Sequence, residues 1–210
     1  MELKETLAAS FLAFEHESST DIDSAVHDKR SAAFTRFEQK GFPTKQNEDW
    51  KYTNLNRILK KNYSVFFKHE TELDHKQVKP YFVPGIESYK LVFVDGVFNS
   101  FLSETTHDGA DICVLSSAFQ KEKYKTILSN NFDELAKEGG SLSDLNTAFA
   151  SEGAYIHIPK GTVVSKPIQI VNITSGNNPD LLIQPRNLVV VEENAQVEII
   201  ERHQSLGGDQ

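Results

Sequence analysis

Apolar residues follow a helical period at the start of the chain and a strand period towards its end. Leu3, Leu7, Phe11 and Phe14 recur at spacings of four, four and three, which is one face of an amphipathic helix. The polar run Ser18, Ser19, Thr20 and Asp21 breaks it. A second helix is predicted from Asp23 or Ser24, both good N-caps. Val26, Ala33, Phe34 and Phe37 form its apolar stripe, and Gly41 is its C-cap. A short helix carries Leu55, Ile58 and Leu59, and Lys60-Lys61 at its end suits the negative pole of the helix dipole. Pro80 and Pro84 then interrupt the chain.

From Tyr89 the period changes. Tyr89 to Phe98 is rich in β-branched and aromatic residues around Asp95-Gly96, a dipeptide that favours a two-residue hairpin because both positions tolerate positive φ. Asp111 to Leu115 reads as another short strand. Helices are predicted over Ser117 to Leu128 and over Ser143 to Ala150, the latter with Leu142, Leu145, Ala148 and Phe149 on one side and Gly153 closing it. Beyond it, Ile156 and Ile158, Ile168 and Ile170, Leu188 and Val190, and Val197 and Ile199 each flank one residue of the opposite face. Polar turns at Pro159-Lys160-Gly161, Ser175 to Asn178 and Glu192 to Asn194 separate these strands. Their spacing is uneven, so no strict repeat is present, and the pattern suits either a sandwich or a β-solenoid. The expected organisation is a helical region over residues 1–88 and a strand-rich core with interspersed helices over residues 89–210. The chain closes on Gly207-Gly208-Asp209-Gln210 directly after a strand. The expectation is a piece of a longer protein whose bare strand edge would pair with another chain.

Composition narrows the function. Among 210 residues, 39% are hydrophobic and 25% charged, as in ordinary globular proteins, and the net charge of −8 argues against a broadly basic nucleic-acid surface. No run approaches the roughly 20 apolar residues that span a bilayer, and Met1 to Glu5 lacks the basic start of a signal peptide. The single cysteine, Cys113, excludes an intrachain disulfide and any cysteine-only metal or cluster site. It reads as a small core residue. Without a signal peptide, the sequons at Asn62 and Asn172 read as chance matches, since glycosylation needs secretion.

None of the histidines, His16, His27, His69, His75, His107, His157 and His203, falls in a zinc-binding pattern, and no Walker, GxGxxG or GxSxG motif occurs. His69, Glu70 and His75 could be imagined as ligands, but read more simply as a solvated polar stretch. His157 should face away from the core, between two isoleucines. His203 stands beside Arg202 with no partner in sequence. Lys45, Lys51, Arg57, Lys60 and Lys61 form a basic cluster diluted by Glu48 and Asp49, and Glu192-Glu193 lies in a turn. Each reads as a solvated face. No catalytic, cofactor-binding or metal-binding residue is assigned, and the chain reads as a non-enzyme.

The segment Phe42 to Leu55 joins the two patterns and holds the only tryptophan. Its amphipathic Trp50 and Tyr52 are expected to pack as a docked linker. Pro43 followed by Glu48-Asp49-Trp50-Lys51-Tyr52-Thr53 resembles the N-terminal signature of the SufB/SufD family of the SUF iron–sulfur cluster assembly system, nearer the SufD branch. The likeness continues through Leu91 to Phe98, Leu145 to Phe149, Gly153 to Pro159, Lys166 to Ile170 and Pro185 to Val191, in order. The resemblance implies an α+β chain, in which an N-terminal helical region precedes the first part of a right-handed parallel β-helix. It implies a cytoplasmic scaffold rather than an enzyme, with a SufB-like paralogue and a SufC-like ABC ATPase as partners, and neither nucleic acid nor membrane. Iron–sulfur clusters and ATP would belong to the assembled complex, with no cofactor bound by this chain. Self-association through an exposed β-helix edge is also expected. The rival reading is a β-solenoid that binds or cleaves carbohydrate, which would need clustered acids or calcium ligands on one face.

Overall fold

A computed structural model describes residues 3–18, 24–65, 71–105, 109–177 and 180–207. The chain runs through α1 (Leu3–Ser18), α2 (Ser24–Lys40), α3 (Asn56–Leu59) and α4 (His75–Val78) into the strands β1 (Tyr89–Val94), β2 (Val97–Phe98) and β3 (Asp111–Val114). Three helices follow, α5 (Leu115–Phe119), α6 (Lys125–Asn131) and α7 (Ser141–Ala148). The strands β4 (Ala154–Ile158), β5 (Ile168–Thr174), β6 (Leu188–Val191) and β7 (Ile199–Ser205) complete it. His69, Glu70 and His107 lie outside the described residues.

Two compact units divide the chain, and both are discontinuous: Met1–Val65 with Phe119–Ala150, and Phe66–Ala118 with Ser151–Gln210. The sequence reading draws one boundary after residue 88. The segment 119–150, which carries α6 and α7, instead belongs with α1 and α2.

In the helical unit, the apolar stripes of α1 and α2 are buried, with Leu7, Val26, Ala33 and Phe37 fully so. Phe11 stacks on Phe34 with centroids 4.2 Å apart, and Phe149, just past α7, meets both rings edge-on at 5.7 and 6.1 Å. Gly41, at φ +67°, donates to the Phe37 carbonyl and ends α2. The continuous helix predicted over Ser117 to Leu128 is broken. Lys121 is extended, and a 3-10 turn at Glu122–Tyr124 leads into α6. The break turns Tyr124 inward, to 4% exposure.

The strand unit contains two sheets, in the orders β2-β1-β5-β7 and β3-β4-β6. β1 and β2 form the antiparallel hairpin that Asp95-Gly96 predicts, with φ of +49° and +83° at the turn. Asp95 is buried, and its carboxylate accepts from the Ser175 backbone N–H and from the Ser175 and Thr71 hydroxyls at 2.6–2.8 Å. The pairs β1–β5, β5–β7 and β4–β6 are parallel. Both sheets feed one apolar core: Leu91, Phe93, Ile168 and Ile170 from one, Ile112, Val114, Ile156 and Ile158 from the other. The outer face of the first sheet is covered by Val78 of α4 together with Leu102, against Val92, Val94, Val171 and Ile173.

Candidate interaction edge

Parallel pairing stacks one pass of the chain on the previous one. β4 lies beside β6, the corner residue Val163 bridges Gln196, and β5 lies beside β7. The corner is tied by backbone hydrogen bonds from Gly161 to Glu193, Val164 to Gln196 and Gln196 to Thr162. Residues 154–174 and residues 188–205 thus run side by side, strand against strand. The uneven strand spacing in the sequence is absorbed by the excursion between Thr174 and Leu188. Close approach is enforced at Gly153, where a β-carbon would fall on the backbone of Arg186.

Register keeps side chains in rows through the stack. Tyr89, Ile168 and Ile199 share an inward row, as do Leu91, Ile170 and Glu201, then Phe93, Asn172 and His203. On the second sheet, Ile156 aligns with Val189 and Ile158 with Val191. Ile156 and Ile158 are fully buried, whereas Val189 and Val191 are 41% and 45% exposed. β6 and β7 each have one strand partner among the described residues, so each presents an unpaired edge beside half-covered inward apolar positions. That is the geometry for strand addition.

The inward row changes character at β7. Glu201 accepts hydrogen bonds from Asn187 at 3.0 Å and Asn172 at 3.4 Å, and lies 3.1 Å from His203 Nε2. His203, read in the sequence as unpartnered, therefore joins a polar cluster on the edge. On the same strand, Arg202 donates to the Tyr81 carbonyl at 2.7 Å. His157 faces away from the core, as alternation requires. Its Nε2 is 2.8 Å from Glu192 and its Nδ1 3.6 Å from Asp111. The hydrogen bond from His157, then that from the Lys160 N–H, holds the Glu192 carboxyl below its usual range. Glu192 is thus a paired turn residue, not a purely solvated one. Cys113 is half-buried, opposite Tyr155 in the ladder. His16 is exposed, His27 lies 2.6 Å from Glu15, and His75 packs on Phe101. Among the described residues, no three His, Cys, Asp or Glu side chains are placed to share a metal ion.

Three buried or half-buried charged sites escape motif-based reading. Arg30 is fully buried between the rings of Phe14 and Phe119, about 5 Å from each centroid. It donates to the Ala150 carbonyl, while its Nε and Nη1 have no hydrogen-bond partner. Burial pushes its pKa down to about 10 against the nearby Glu15, whose own carboxyl burial raises. Asp144, also fully buried, accepts from Arg36 at 2.6 Å and Lys40 at 2.8 Å, and Arg36 reaches Asp133 as well. Glu152, hydrogen-bonded to Ser116, is pushed up to about 7 by burial. A signal existed for two of them: Arg30 lies four residues after Val26 and four before Phe34, within the apolar stripe, and Asp144 precedes Ala148 by four.

The expectation for the Trp50 segment needs correction at Tyr52. Trp50 ends a 3-10 turn, Glu48–Trp50, and is half-buried, whereas Tyr52 is 93% exposed. The Lys51 ammonium lies 5.8 Å from the Tyr52 ring centroid. Glu48, Asp49 and Lys51 flank the two rings, so neighbouring sequence offers no apolar surface to cover Tyr52.

Residues 1–170 match the family model of the SufBD protein N-terminal region. The iron–sulfur cluster assembly SufBD family protein slr0076 of Synechocystis sp. is 29% identical over 188 residues, 86% of this chain and 40% of the relative. A second protein of that organism, slr0074 of the same family, is 30% identical over 57% of the chain and 26% of the relative. The iron–sulfur cluster assembly protein SufD of Escherichia coli is 25% identical over 79% of the chain and 36% of its own length. The chain therefore spans less than half the length of these curated relatives.

Proposed function

Since the chain belongs to the SufBD family and is similar to the N-terminal portion of SufD, we propose that it is part of a non-enzymatic scaffold for iron–sulfur cluster assembly. The scaffold pairs with a SufB-like paralogue and works with a SufC-like ATPase in the cytoplasm. Clusters are its cargo, and ATP is consumed on the ATPase. In this reading, residues 154–174 and 188–205 are the first turns of a right-handed parallel β-helix. The observation that supports it most directly is the unbroken register from β1 through β5 to β7. A stack of this kind is rigid and grows by adding strands at its edge, which suits a protein that holds partners in place rather than one that turns over substrate. Among the described residues, no helix is long and apolar enough to cross a membrane.

The decisive experiment is co-purification of the chain, within its full-length protein, with SufB-like and SufC-like proteins of the same organism. A complex stable to gel filtration is expected. Full-length protein that recovers neither partner would overturn the scaffold reading. For the 210-residue chain alone, the β6 and β7 edges give concentration-dependent self-association. Light scattering that shows only monomer at high concentration would remove that part of the proposal.

A further inference from the structure

The helical unit carries a groove of about 510 Å³ that the scaffold reading does not use. Its apolar lining is Leu3, Phe42 and Leu59, buried or half-buried, and Lys4, Lys60 and Lys61 line it with exposed side chains. Lys4 is held there by a hydrogen bond to the Glu38 carbonyl at 2.7 Å. The groove belongs to the segment that exposes Tyr52 and, at 51%, Ile58 of α3. From Thr44 to Asn62 this segment holds five cations, Lys45, Lys51, Arg57, Lys60 and Lys61, against Glu48 and Asp49, in a chain whose net charge is −8. A locally basic surface with apolar anchors, on a protein that is otherwise acidic, selects for an occupant of opposite charge.

We propose that this groove and the Trp50–Ile58 surface beside it in sequence dock an acidic, amphipathic segment of a partner protein. An apolar side chain of the partner enters against Phe42 and Leu59, and its carboxylates meet Lys4, Lys60 and Lys61. The chemistry of the groove favours a protein segment over nucleic acid. The apolar lining has no use for a phosphate backbone, and carboxylates on a folded segment can be placed opposite Lys4, Lys60 and Lys61 alone, away from Glu48 and Asp49, as a continuous phosphate chain cannot; Tyr52 is also the one strongly exposed aromatic ring of the segment, where nucleic-acid platforms use several. The surface is separate in sequence from the β6 and β7 edges, so it adds a second contact and does not depend on the scaffold's pairing mode.

Trp50, the only tryptophan, provides the readout. Fluorescence titration of the full chain would use a synthetic helical peptide of about 20 residues, glutamates on one face and leucine and phenylalanine on the other. Saturable binding is expected, weakening about tenfold between about 50 mM and about 500 mM salt. The double variant Lys60→Glu/Lys61→Glu should weaken it at least about tenfold, Tyr52→Ala less, and the charge-matched control Lys79→Glu/Lys160→Glu not at all. All changed residues are exposed, and circular dichroism verifies that each variant is folded. No binding, equal binding of polyglutamate lacking apolar residues, or tighter binding of single-stranded RNA would each overturn the proposal. Peptide binding that persists undiminished in the Lys60→Glu/Lys61→Glu variant would do the same.

Discussion

In the helical unit, Phe11, Phe34 and Phe149 meet ring against ring, and a fully buried Asp144 lies among Arg36 and Lys40. In the strand unit, the two sheets meet mainly through aliphatic side chains, Ile156 and Ile158 facing Ile168 and Ile170, and the inward rows turn polar only towards β7, at Asn172, Glu201 and His203. The difference is one of redundancy. A ring cluster joins three helices through a few large contacts, and its loss leaves a cavity that rigid helices do not close. A ladder of similar aliphatic residues spreads the same burial over many equivalent positions and can give a little at each.

Substitutions should expose this contrast in a graded order. Phe34→Ala should cost about 3–5 kcal/mol in denaturant unfolding, whereas Ile156→Val should cost about 1 kcal/mol. Equal losses would erase the distinction between the units. Next comes Asp144→Ala, which leaves two cations without their shared carboxylate and should cost about 3 kcal/mol. Smaller again is the effect of pH on Glu152. Its folded pKa of about 7 lies above the ordinary carboxyl value of 4.5, so the folded chain binds the proton more tightly. The stability associated with the neutral carboxyl is complete below pH 4.5, falls as pH rises through 7, and is flat above it. Glu152→Gln should therefore stabilise the protein by about 2 kcal/mol at pH 8 and by little at pH 4, after allowance for partial exposure. A pH-independent difference would discount the burial of that carboxyl. At the lower limit, Lys160→Ala removes an exposed pair with Glu193 and should change stability by about 0.5 kcal/mol or less.

Much of the fold was legible because local pattern and tertiary role coincide. The stripes of α1 and α2, the Asp95-Gly96 hairpin and the alternation in β4 and β5 all follow from residues near one another in sequence. What escaped depends on distant partners. The Ser117 to Leu128 helix breaks so that Phe119 can meet Phe132 and Tyr124 can turn inward, a demand that no local propensity expresses. Val197 lies before β7, because the register with β5 begins at Ile199 and then runs through Glu201 and His203, residues that do not look like strand interior. Arg36 and Asp144 pair across 108 positions, and periodicity gives no hint of such distances. Tyr52 failed in the opposite sense: an aromatic ring in sequence implied packing, but its neighbours are charged and nothing in its unit covers it.

The interleaving of the two units has a consequence during synthesis. α1 and α2 leave the ribosome long before Phe149, the ring that closes their cluster, so their apolar stripes wait for about 110 further residues, or roughly 5–20 s at ordinary elongation rates. β1 waits similarly for β5, whose first paired residue, Ile168, lies 79 positions after Tyr89. A nascent chain of this design leaves those apolar stripes uncovered for much of its synthesis, and how long they stay so is set by the order in which its segments emerge rather than by the stability of the finished fold.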